Sequence, residues 1–108
     1  MKPVVFLAQS LDAIRSFPDA ARREAGHQLD RVQHGLDPTD WKPMTSIGRG
    51  VREIRIHEAG QFRVIYVASL PDRIAVLHAF RKKSGKTRKP GLDLARRTFK
   101  ELQRRNNS

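Results

Sequence analysis

The stretch VREIRIHEAGQFRVIYVASLPDRIAVLHAFRKKSGK, Val51 to Lys86, decides the fold. It holds three runs rich in Val, Ile, Phe and Tyr, residues that suit a pleated surface. These are Val51–His57, Gln61–Ala68 and Arg73–Phe80. Glu58-Ala59-Gly60 and Ser69-Leu70-Pro71-Asp72 separate them with turn-forming residues. Connections this short make successive strands antiparallel. Strand alternation then sorts the side chains. Arg52, Ile54 and Ile56 share one side of the first run, and Val51, Glu53, Arg55 and His57 the other. Phe62, Val64 and Tyr66 oppose Arg63, Ile65 and Val67. Ile74, Val76, His78 and Phe80 oppose Ala75, Leu77 and Ala79, so the third run is apolar on both sides and belongs at the centre, covered on each face. Arg55 and Arg63 fall near one another on adjacent strands, and the third strand exits into Arg81-Lys82-Lys83.

Outward from this sheet, Lys2–Ala8 reads as another strand, with Pro3 at its start, where a missing N–H does least harm. Leu11, Ile14 and Phe17 recur at helical spacing after Ser10 and Asp12, either of which suits an N-cap, and Pro18 stops that helix. A second helix carries Ala21, Ala25, Leu29 and Val32 on one stripe and ends at Gly35. The two helices form a hairpin with one apolar face. Leu36–Gly50 reads as a loop, in which Trp41 suits a lid over a core edge better than a base-stacking platform. Arg81–Pro90 is a basic loop, and Gly91–Arg105 a last helix with Leu92, Ala95, Phe99 and Leu102 on its apolar stripe.

At 108 residues this is one domain, 1–108, with a single modest core. The net charge is +11, from 22 Lys+Arg against 11 Asp+Glu. Such an excess points to a polyanionic partner, nucleic acid first. Cysteine is absent, which excludes disulfides and Cys-based metal sites. The apolar run Val4–Ala8 is too short for a signal-peptide core, and no run approaches a membrane span, so a cytoplasmic protein without a membrane partner is expected. The four histidines, His27, His34, His57 and His78, lack the spacing of a zinc site. Ser84–Thr87 echoes the end of a phosphate-binding loop, but the upstream glycine at the required spacing is missing. No metal and no cofactor are therefore expected.

The positive signal is basic clustering. Arg49, Arg52, Arg55, Arg63, Arg81, Lys82, Lys83, Lys86, Arg88 and Lys89 lie on or beside the sheet, where Arg and Lys neutralise phosphates. Tyr66 and Phe80 offer rings for base stacking. Two bland alternatives stand beside this: Glu53 paired with Arg55 or Arg63 as a structural ion pair, and His78 as a core histidine among Ile74, Val76 and Phe80.

VREIRI, then QFRVIYVA, then IAVLHAFRKKSGKT followed by LDLARRTFKELQRR resemble the RelE/ParE superfamily of bacterial toxins, most closely its phage-derived, HigB-like branch of type II toxin–antitoxin systems. The resemblance covers most of the chain and is most specific in LHAFRKKSGKT. It implies an α+β, RelE-like fold, ordered β-α-α-β-β-β-α, with a small antiparallel sheet and the helical hairpin packed on one face. It implies a cognate antitoxin, commonly a helix-turn-helix protein. The implied activity is that of a translation-inhibiting endoribonuclease, a hydrolase in function class, cutting mRNA commonly in the translating ribosome. Arg55 and Arg63 match its ExR and FRV positions and would hold the scissile phosphate; Lys82 and Lys83 match its basic strand exit. Cleavage without metal also needs a proton carrier, for which His78 is the better-tuned candidate and a lysine of depressed pKa the other. The ending QRRNNS lacks the C-terminal Tyr or His on which many ribosome-dependent members rely. A non-catalytic RNA- or protein-binding module and a ParE-like gyrase inhibitor share the fold and remain alternatives.

Overall fold

The computed structural model describes residues 1–83 and 88–106, the side chains of Arg88 and Asn106 excepted. The elements are β1 (Val4–Phe6), α1 (Ser10–Arg15), α2 (Asp19–Gln33), β2 (Trp41–Pro43), β3 (Val51–Ile56), β4 (Phe62–Val67), β5 (Ile74–Arg81) and α3 (Arg88–Asn106). The strands make one five-stranded sheet in the order β1-β5-β4-β3-β2. The expected α+β architecture is present, with the three-strand meander at its heart and β5 fully flanked.

The sheet is mixed. β3, β4 and β5 are antiparallel neighbours, but β1 lies parallel to β5, Val4 opposite Ile74 and Phe6 opposite Val76. A strand separated from its partner by a helical hairpin is free of the reversal that a tight turn imposes. β2 lies in the stretch expected to be a loop. Trp41, Lys42 and Pro43 pair with Ile54, Glu53 and Arg52. A three-residue strand containing proline leaves almost no periodic signal, and it sits at an edge, where proline is tolerated.

Two cores cover the two faces. On one, Ile14 and Phe17 with Ala21, Ala25 and Leu29 of α2 pack on Ile54, Ile56, Phe62, Val64, Tyr66, Ile74 and Val76. On the other, Ala95, Phe99 and Leu102 of α3 pack on Val51, Ile65, Val67, Ala75 and Leu77. Ser10 does not cap α1; its hydroxyl is buried and donates to the Val76 carbonyl at 3.2 Å, tying helix to sheet. Gly35 does end α2 as expected. At φ +81° it lets its own N–H reach the Val32 carbonyl and the Leu36 N–H reach Arg31, both at 3.0 Å.

The register corrects the expected faces of the third strand. Ile65 stands opposite His78 and Tyr66 opposite Val76, so Leu77 is an extra residue, a β-bulge. Beyond it the alternation is inverted. Ala79 joins Ile74 and Val76 in the α1–α2 core, while Phe80 packs with the α3 core. His78, opposite Ile65, and Phe80, opposite Arg63, therefore lie on the α3 side of the sheet, not on the side of Ile74 and Val76.

Candidate functional site

The candidate surface grows from Glu53. Alternation turns this carboxylate to the α3 side, and packing leaves it 0% exposed. A buried carboxylate needs cations. Among the described residues two are in place: Arg55 Nε lies 3.8 Å from its Oε1 and Arg63 Nε 3.7 Å. Arg55 stands directly across from Arg63, and Arg63 across from Phe80. The structural ion pair and the arginine pair are thus one arrangement. The two arginines differ within it. The Arg63 side chain is 7% exposed and donates from Nη1 to the Phe62 carbonyl at 2.9 Å; the Arg55 side chain is 35% exposed. Arg63 supplies field from beneath, and Arg55 supplies a guanidinium that a ligand can touch.

One step further along the strands lies a second row. His57 and Gln61 face each other across the β3–β4 turn, with Nδ1 2.8 Å from Oε1. The Lys82 N–H donates to the Gln61 carbonyl at 2.8 Å, which brings the strand exit alongside. On the outer side, Asp40 precedes β2 and places its Oδ2 2.6 Å from His57 Nε2 and its Oδ1 3.8 Å from Arg55 Nη1. The Asp40 carboxylate, helped by the Gln61 amide, raises the His57 pKa above its ordinary value against desolvation and the nearby Arg63 charge. A cleft of about 300 Å³ opens here, bounded by Asp40, Arg55 and His57 on the sheet side and by Glu24 and His27 of α2.

A family model described as Phage derived protein Gp49-like (DUF891) matches residues 12–100. The chain belongs to this family. The Gp49-like proteins are toxin-like and related to the RelE and HigB toxins, and a toxin of this kind implies an antitoxin partner. No curated protein and no solved structure matches the chain. Among the described residues no helix is long and apolar enough to cross a membrane, and no cluster of His, Cys, Asp and Glu is arranged to hold a metal ion.

The remaining residues picked out from the Gp49-like sequence scatter. Lys82 is half-buried beside Gln61, and Lys83 is exposed just beyond it. His78 reaches the Arg63 face, but its ring stacks on Phe80 at 6.0 Å and burial lowers its pKa. Phe80 is itself occupied: Gly91, at the start of α3, sits so close that a Cβ there would lie 2.6 Å from the Phe80 ring. Tyr66 cannot stack on a base, because it is 0% exposed, within the α1–α2 core. Arg52 lies on that opposite side as well, 3.0 Å from Asp37 and with its guanidinium 4.1 Å over the Trp41 ring, so both belong to the β2 edge. Trp41 is thus a structural residue. Arg81 turns over the Phe62 ring at 5.8 Å, away from Arg63. Arg49 is exposed before the start of β3, at the end remote from Arg55. Lys89 is exposed in the first turn of α3; Lys86 and the Arg88 side chain lie outside the described residues. His57, Asp40 and Gln61 join the site only in the structure. The signal for His57 was present in the alternation Glu53-x-Arg55-x-His57; Asp40 carried none, since its position depends on β2 existing.

Proposed function

We propose that this chain is the toxin of a type II toxin–antitoxin pair and acts as a metal-independent endoribonuclease on mRNA, in the translating ribosome. The observation that carries this reading is the half-exposed Arg55 guanidinium. It is backed by buried Arg63, at a corner of the sheet where the Lys82 backbone N–H bonds the Gln61 carbonyl, in a chain of net charge +11. Cations fixed by a folded sheet need no reorganisation when negative charge builds on a phosphorane, which is the condition for electrostatic transition-state stabilisation. Arg55 would contact the scissile phosphate, Arg63 and Glu53 would hold Arg55 in place, and Lys82 with Lys83 would hold the flanking backbone. Cytoplasmic action and neutralisation by an antitoxin, commonly a helix-turn-helix protein, accompany the reading.

Expression in a bacterial host without antitoxin should arrest translation, with new transcript 5′ ends inside codons. Arg55→Ala should relieve the arrest with the fold intact. Undisturbed growth with intact transcripts would contradict the proposal.

A further inference from the structure

We propose that His57 is the general acid of this site, giving a proton from Nδ1 to the 5′-oxygen leaving group of an RNA phosphodiester, with Asp40 as its positioning residue. The proposal rests on the endoribonuclease reading and names its proton carrier. Three geometric facts carry it. His57 follows Arg55 by two residues on the extended chain past β3, and so projects to the same side. Both of its ring nitrogens meet acceptor oxygens, Nε2 the Asp40 carboxylate at 2.6 Å and Nδ1 the Gln61 amide oxygen at 2.8 Å. Two acceptor oxygens placed at the two ring nitrogens favour the doubly protonated form of the ring, which donates to both. It is also half in water, its side chain 51% exposed, whereas His78 is packed against Phe80.

The two bonds have different roles. Asp40 stands on the outer, β2 side; its charge-assisted bond fixes the ring and stabilises its positive form. Gln61 stands on the β4 side, toward Arg63 and Lys82, and is exposed and neutral. A phosphate ester seated on Arg55 displaces Gln61, whose amide oxygen marks the place of the leaving oxygen. The other charged groups facing His57 are Arg55, Arg63 and Lys82 on the sheet, Glu58 in the adjoining turn, and Glu24 and His27 across the cleft.

In the reaction, the 2′-oxygen attacks phosphorus while its proton passes to water. The P–O2′ bond forms and the P–O5′ bond breaks. The 5′-oxygen leaves with the Nδ1 proton, yielding a 2′,3′-cyclic phosphate and a 5′-hydroxyl. Neutral His57 then takes a proton back from solvent, so no proton is consumed overall.

The test is single-turnover cleavage of an oligoribonucleotide, free and ribosome-bound. It compares the ordinary linkage with a 5′-bridging phosphorothiolate, whose thiolate departs unprotonated. His57→Gln should cleave the ordinary linkage about 10²–10³-fold more slowly than wild type, within the usual range for general acids, and the sulfur linkage at nearly the wild-type rate. Asp40→Asn should slow the ordinary linkage alone and move the alkaline limb of its pH–rate profile to lower pH. Equal slowing on both linkages, or none on the ordinary one while wild type cleaves, would overturn the role of His57 and leave the endoribonuclease reading standing. If wild type cleaves neither linkage, with or without ribosomes, that reading fails and this one with it.

Discussion

Ile65, Val67, Leu77 and Phe80 pack in the apolar cluster under α3, whereas Glu53, Arg55 and His57 fall on the same side of the same sheet outside that cluster. The first group is a dry core. The second is a charged corner in which Glu53, and Arg63 beside it, are buried. Alternation along a strand assigns a residue to a face. Whether that part of the face is covered depends on where a helix some fifteen or more residues later comes to rest. The contrast explains why two histidines of one face have opposite characters: burial lowers the pKa of His78 next to the helix-covered half, and the Asp40 carboxylate raises that of His57 at the open corner.

Substitutions separate the two halves, and the first three effects are ordered by stability. Glu53→Ala removes the buried countercharge 3.7 Å from Arg63 and should cost about 3–5 kcal/mol in urea unfolding, the usual penalty for breaking a buried pair. Glu53→Gln, which still accepts hydrogen bonds, should cost less; an unchanged midpoint for Glu53→Ala would show that the arginines do not depend on it. In the covered half, a Cβ at Gly48 would lie 2.1 Å from the Phe99 ring of α3. Gly48→Ala should therefore cost about 1–3 kcal/mol as overpacking, unless the ring turns aside. Arg55→Ala, at the open corner, should change stability by less than about 1 kcal/mol. It should nonetheless slow RNA cleavage about 10²–10³-fold, the scale of losing one transition-state donor. A large loss of stability would make Arg55 a scaffold residue instead.

The smallest effect is in proton binding. His57 is raised above the ordinary histidine value of about 6.5 and His78 lowered, and an NMR titration should find them on opposite sides of it. The increment of stability from His57 is complete below its unfolded pKa and fades as pH rises through the higher folded one. That from keeping His78 neutral is complete above its unfolded pKa and fades as pH falls through the lower folded one. Coincident titrations would remove the distinction between the halves.

The sequence made the meander, the helical hairpin and the Arg55–Arg63 adjacency legible, because a strong period-two pattern carries all three. It did not show the bulge at Leu77, since an extra residue in a run apolar on both faces breaks no visible pattern. Simple alternation therefore puts His78 and Phe80 on the wrong side. Nor did it show β2, whose three residues bring Asp40 to His57 and Trp41 under Arg52. Basic residues read as one cluster because charge is easily seen in a sequence, while commitment to Asp37, Trp41 or the Phe62 ring is a tertiary fact.

The central claim is that RNA binds at the open corner. Its most direct test is an NMR titration of isotope-labelled protein with a short, uncleavable oligoribonucleotide. The account predicts saturable shifts at the side chains of Arg55, His57, Gln61 and Lys82, with Tyr66 and Arg52 unmoved. Shifts confined to the exposed Lys89, Arg97, Lys100 and Arg104 of α3, with the corner silent, would contradict it.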